Sequence, residues 1–90
     1  MKSELTQEFI TLFKKLPTRI QQSTRNNFKL WKKNPYHPGI EFKKLKSTES
    51  IYSVRVGIGW RALGVKTNSN TIVWFWIGNH NDYDRLISRL

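Results

Sequence analysis

Cysteine is absent from this 90-residue chain, which excludes a disulfide framework and any thiolate metal site. Only two histidines, His37 and His80, are present, too few for a metal cluster, so neither a metal nor any other cofactor is expected. Long apolar runs are missing as well. The most apolar stretch, Ile72 to Ile77, is far too short to cross a bilayer, and no segment has the pattern of a signal peptide. A soluble, cytoplasmic protein with no membrane partner is the expectation. There is no repeat, low-complexity tract or linker, so residues 1–90 read as one domain. A Gly-rich phosphate loop and a nucleophile elbow are also lacking, which removes the reaction classes built on them.

What the chain does have is aromatic mass and positive charge. Four Trp, three Tyr and five Phe bury much area per residue and suit a small core without covalent staples. Sixteen Lys and Arg face six Asp and Glu, a formal +10. Such an excess favours a polyanionic partner: nucleic acid first, an acidic protein second, an anionic membrane surface third. The surplus is uneven. Residues 1–46 hold 11 basic and 3 acidic side chains, net +8, whereas residues 47–90 hold 5 and 3, net +2.

Leu5, Phe9, Leu12, Phe13 and Leu16 form a helical stripe, with Ser3 as candidate N-cap, Lys14 and Lys15 in the last turn and Pro17 as the stop. Thr18 and Gln21 have capping-box spacing. Ile20, Thr24, Phe28 and Trp31 give a second stripe, ended by Asn34-Pro35. Strands follow. Glu41 to Lys46 is short and basic. Ile51 to Val56 alternates, placing Tyr52, Val54 and Val56 on one face and Ile51, Ser53 and Arg55 on the other. Gly57-Ile58-Gly59 makes a tight connection to a strand over Trp60 to Lys66. After the turn at Thr67 to Asn70, Thr71 to Ile77 is apolar on both faces, the mark of an interior strand covered on two sides. Gly78 closes it, and Asn81 or Asp82 caps a last short helix. The pattern predicts an α+β fold: an N-terminal helical hairpin packed on a small antiparallel sheet of three to four strands, with a short C-terminal helix.

Three groups of residues could carry chemistry. Arg55 and Arg61, from neighbouring strands of one hairpin, could hold a phosphate together, or be solvated strand arginines. His80, just past an interior strand, with Tyr83 three residues on, suits proton transfer near neutral pH. Asp82 and Asp84 could orient that imidazole or favour its protonated form. Alternatively, His80 caps an element end and Tyr83 is packing. Lys43, Lys44 and Lys46, with His37 upstream, could form a phosphate track or a lysine-protected sheet edge; alternation places Lys44 and Lys46 on one face. Trp31, Trp60, Trp74 and Trp76 favour the core over base stacking, with Trp60, beside Arg61, the best candidate to touch RNA. Together the groups fit metal-independent RNA cleavage. A base takes the ribose 2′-OH proton, cations stabilise the phosphorane, and an acid protonates the leaving 5′-oxygen.

In order along the chain, Asn34-Pro35-Tyr36-His37-Pro38-Gly39, Phe42-Lys43-Lys44-Leu45, Tyr52-Ser53-Val54-Arg55-Val56-Gly57, Trp60-Arg61-Ala62-Leu63 and Trp76-Ile77-Gly78-Asn79-His80 with Tyr83-Asp84 resemble the landmarks of the RelE/ParE toxin superfamily. The resemblance runs from about residue 5 to about residue 86, and its His-x-x-Tyr-Asp ending is most similar to the HigB/RelE branch of mRNA interferases. It implies a toxin of a type II toxin–antitoxin pair that inhibits translation by cutting mRNA on the ribosome. Its partners would be mRNA, rRNA and a small cognate antitoxin. It also implies a site at Arg55, Arg61, His80 and Tyr83. Two other readings stand beside this: a ParE-like inhibitor that acts on DNA gyrase by binding, and a nucleic-acid-binding relative without catalysis. The chain departs from the family twice. Met1 to Glu4 leaves little room for the usual first strand, so the sheet is expected to lack it. The interval from Arg55 to Arg61 is a residue longer than usual, which weighs against convergence of the two arginines.

Overall fold

In the computed structural model, which describes residues 1–45 and 50–89, the chain begins with a strand, β1 (Lys2–Leu5). Helices α1 (Gln7–Lys14) and α2 (Thr18–Lys33) follow. After a 3₁₀ turn at Pro38–Ile40 come β2 (Lys43–Lys44), β3 (Ile51–Gly57), β4 (Trp60–Asn68), β5 (Thr71–Asn79) and α3 (His80–Ile87). The sheet order is β1-β5-β4-β3-β2. The α+β architecture, with a helical hairpin packed on one sheet face, is as the sequence predicts.

The first strand corrects the sequence reading. β1 pairs in parallel with β5, from Lys2 opposite Thr71 to Leu5 opposite Trp74, so the sheet is mixed and has five strands. Four residues suffice because β5 offers a ready edge: Lys2 N–H donates to the Asn70 carbonyl at 2.7 Å and Thr6 N–H to the Trp74 carbonyl at 3.0 Å. Leu5 therefore leaves the helical stripe for the strand. The helix starts later, capped by the Thr6 hydroxyl, which accepts from Phe9 N–H at 3.1 Å, rather than by Ser3.

Other boundaries also move. The Thr18–Gln21 capping box does not form. Pro17 occupies the cap position, Thr18 is already helical, and the Gln21 carboxamide donates back to the Leu16 carbonyl at 3.0 Å. Asn34 ends α2 as expected. The basic strand shrinks to Lys43–Lys44, and Lys46 lies outside the described residues. β5 runs past Gly78 to Asn79. The Asn79 side chain then caps α3 by accepting from Asp82 N–H at 2.8 Å, which displaces Asn81 and Asp82 from that role.

The main core lies between the helices and one sheet face. Trp31, Val54, Val56 and Trp74 are buried there, and Trp31 and Trp74 meet edge to face with ring centres 5.6 Å apart. The opposite face carries a smaller cluster, Ile51, Leu63 and Tyr83, covered by α3 residues Leu86 and Ile87. β5 is thus apolar on both sides because α1 packs against it from one side and α3 from the other. No helix among the described residues is long and apolar enough to cross a membrane.

Candidate active site

Arg55 of β3 and Arg61 of β4 are direct cross-strand partners, so their side chains leave the same face of the sheet. The extra hairpin residue does not separate them. A register shift between Arg55 and Gly57 lets Val56 bulge while its side chain stays buried. The turn itself is only Ile58-Gly59, where Gly59 takes φ +78°, a left-handed conformation that favours glycine.

Glu41 stands over the pair. It follows the Pro38–Ile40 turn in a left-handed backbone conformation, φ 46°, and its carboxylate faces both guanidiniums. One oxygen accepts from Arg61 Nη2 and the other lies 3.5 Å from Arg55 Nη1. The hydrogen bond and charge of Arg61 hold the Glu41 carboxyl below its usual range. Arg55 and Lys43 add to this, and desolvation opposes it in part. The carboxylate is therefore ionised at neutral pH. Arg61 is only 8% exposed. Besides Glu41 it donates to Ser53 Oγ at 3.2 Å, and its guanidinium lies 5.5 Å from the centre of the Tyr83 ring.

His80 approaches from the end of β5. As the first residue of α3, it donates its backbone N–H to the Gly59 carbonyl at 2.8 Å, which ties the helix start to the hairpin turn. Its imidazole is exposed. Nε2 lies 3.5 Å from an Asp84 carboxylate oxygen one helical turn on, and Asp82 pairs instead with Arg85 at 2.9 Å. The result is a cleft of about 180 Å³ bordered by Glu41, Arg55, Gly57, Gly59, Trp60, Arg61 and His80.

Of the remaining candidate residues among those described, Trp60 alone borders the cleft. Tyr83 is buried beneath Arg61, its ring 5.8 Å from that of His80 and 6.4 Å from that of Trp76. It supports the cleft without lining it. Lys43 lies opposite Ser53 and so shares the arginine face, whereas Lys44 lies opposite Tyr52 and points to the other. His37 Nδ1 accepts from Gly39 N–H at 3.1 Å and shapes the turn before Glu41. Trp60 is half-buried and borders the cleft, unlike the fully buried Trp31 and Trp74.

Glu41 is the residue that sequence reasoning missed as a site candidate. Its signal was charge context: between residues 9 and 48 it is the only acid among ten basic side chains. An isolated carboxylate there has abundant partners.

A family model described as the ParE-like toxin domain matches residues 18–85. No curated protein matches the chain significantly. Solved structures with the same fold include the toxin of the RelB–RelE antitoxin–toxin complex from Methanococcus jannaschii, with TM-score 0.71, 19% identity, and coverage of 91% of this chain and 96% of that one. The archaeal RelE–RelB complex from Pyrococcus horikoshii gives 0.69 at 14% identity, covering 88% and 93%. The isolated Escherichia coli RelE toxin gives 0.65 at 13% identity, covering 98% and 96%. At these identities the likeness is one of fold. The family match spans residues 18–85, taking in the arginine hairpin, Glu41 and His80, and by it the chain belongs to the ParE-like toxin domain family, within the RelE/ParE superfamily.

Proposed function

We propose that this protein is the toxin of a type II toxin–antitoxin pair and acts as a metal-independent endoribonuclease. It cleaves mRNA on the ribosome, in the cytoplasm, and is held in check by a small cognate antitoxin. The observation that carries this reading is the meeting of one ionised carboxylate, two guanidiniums and one exposed imidazole on a single cleft. The scissile phosphate sits over Arg55 and the exposed side of Arg61, which hold its non-bridging oxygens and take up charge as the phosphorane forms. Glu41 accepts the proton of the neighbouring ribose 2′-OH. The 2′-oxygen bonds to phosphorus, the P–O5′ bond breaks, and protonated His80 gives its proton to the leaving 5′-oxygen. The products are a 2′,3′-cyclic phosphate and a 5′-hydroxyl. Asp84 orients His80, and Tyr83 supports Arg61 from below. Lys43 and Trp60 extend the RNA contact on either side.

The test is purified protein with mRNA, with and without ribosomes. Defined cuts ending in cyclic phosphate are expected, and His80→Ala or Arg61→Ala should reduce them by about 100-fold or more. RNA left intact in both conditions overturns the reading. A short overlapping reading frame with a DNA-binding pattern beside the gene supports the antitoxin. The family match, described as ParE-like, favours one second reading, a binding inhibitor of DNA gyrase. That reading requires inhibition of supercoiling in vitro and toxicity indifferent to His80→Ala.

A further inference from the structure

Next to the cleft lies a second depression of about 380 Å³, which shares Arg55 and Gly57 with it. Its other walls are Ser23, Asn26 and Asn27 from one face of α2, Gly39, and Ile58 at the hairpin tip. We propose that this groove is a base-reading subsite for the nucleotide adjoining the scissile phosphate, an assignment that rests on the RNA reading of the cleft.

Three features of the groove point to a nucleobase. The first is its charge. Arg55 is the only ionisable group among the lining residues, and it stands at the border with the cleft. That arrangement suits an uncharged heterocycle tethered to a phosphate. The second is its hydrogen-bonding capacity. Asn27 donates to the Arg55 carbonyl at 3.2 Å and so fixes the wall between the two depressions. Asn26 accepts from Gln22 at 3.2 Å through Oδ1. Among the described residues no hydrogen bond engages its Nδ2, so two groove-lining residues, Asn26 and Ser23, have donors to offer a base. A carboxamide can hydrogen-bond the edge of a base and tell one base from another. The third is the rim. Ile58 is 85% exposed, and a branched apolar side chain at a turn tip offers a ledge for the face of an unstacked base, the form in which single-stranded RNA is read.

Gly57 keeps the passage open. A Cβ there would stand 3.5 Å from Ser23 Cβ, an ordinary contact that the fold accepts, yet it would narrow the channel between cleft and groove. Asn26 is exposed on α2 and is likewise replaceable without loss of the core.

The experiment measures equilibrium binding of short 2′-O-methyl RNA oligonucleotides, which lack the attacking hydroxyl and stay intact. The base on the 5′ or the 3′ side of a central phosphate is varied through all four identities and an abasic site. At one of the two positions the protein should prefer one base by at least about fivefold, the lower end of what an edge contact contributes. Asn26→Ala and Ser23→Ala, which alter the groove and not the cleft, should each flatten that preference while leaving the abasic probe bound as before. A flat profile for the unaltered protein, or a preference that survives both substitutions, overturns the subsite. Failure to bind any probe overturns the RNA reading along with it. A base preference in a protein that cuts no RNA upholds the subsite and removes only the nuclease step.

Discussion

Replacing Glu41 with Gln keeps the side-chain shape and one acceptor oxygen but removes the charge that Arg55 and Arg61 share. A hydrogen bond to a charged partner contributes about 1.5–3 kcal/mol and a neutral one about 0.5–1.5. Arg61 is only 8% exposed and keeps Ser53 and the Tyr83 ring. Glu41, however, has 43% of its side chain in solvent, and screening reduces the difference to roughly 0.5–1 kcal/mol. In a domain of this size that lowers Tm by roughly 2–8 °C at neutral pH. Acid separates charge from packing. The folded Glu41 carboxyl titrates below its reference value of 4.5. Its stabilisation is therefore complete above the unfolded value and disappears as pH falls through the folded one. Thermal unfolding of both proteins should show a gap at pH 7 that closes as the pH drops below 4.5. The other carboxyls are common to both proteins and cancel in the comparison. An equal gap at acid pH, or none at pH 7, refutes the assignment of Glu41 as the ionised partner of the two arginines. In the cleavage assay the same folded variant lacks the proposed proton acceptor and should lose about 100-fold or more.

Tyr83→Phe retains the ring under Arg61 and should cleave nearly as well as the parent. A severe loss with normal Tm would mean that the hydroxyl itself moves a proton. Asn79→Ala removes the cap of α3, costs about 1 kcal/mol and loosens His80, so Tm and cleavage should fall together. Asn79→Asp, which caps as well, should restore both. Gly64→Ala places a Cβ 2.6 Å from Ile72 Cγ2 and 2.7 Å from Trp74 Cε3. This overpacking should cost about 1–3 kcal/mol, read as a lower denaturant midpoint at unchanged slope.

Side-chain periodicity told helix from strand wherever one face met the core. It placed α2 and its end at Asn34, put Val54 and Val56 together on one face, which proves to be the helix-covered one, and marked β5 as apolar on both sides. Caps and edges were less legible because several polar residues compete for them. Ser3 and Thr6 both suit an N-cap, and what selects Thr6 is that Lys2–Leu5 finds β5 to pair with, a partner almost seventy residues away in the chain. Alternation already separates Lys43 from Lys44, but it does not say which of them joins the arginines. Pairing with β3 sends Lys43 to the arginine face and Lys44 to the other.

The same reasoning explains why total charge suggests a partner class but does not place a site. Half of the surplus, five of ten charges, lies on α2, where Arg25, Lys29 and Lys32 border the groove between α1 and α2. The proposed chemistry depends instead on three features that no local pattern encodes. A bulge at Val56 keeps Arg55 opposite Arg61. A left-handed turn carries Glu41 back over a guanidinium twenty residues ahead. The bond from His80 N–H to the Gly59 carbonyl sets the imidazole beside the hairpin. Each fixes backbone rather than adding charge. Moving a lysine along α2 should therefore alter the salt dependence of RNA binding, whereas a shift of one residue in the β3–β4 register would separate the arginines from Glu41 at unchanged net charge.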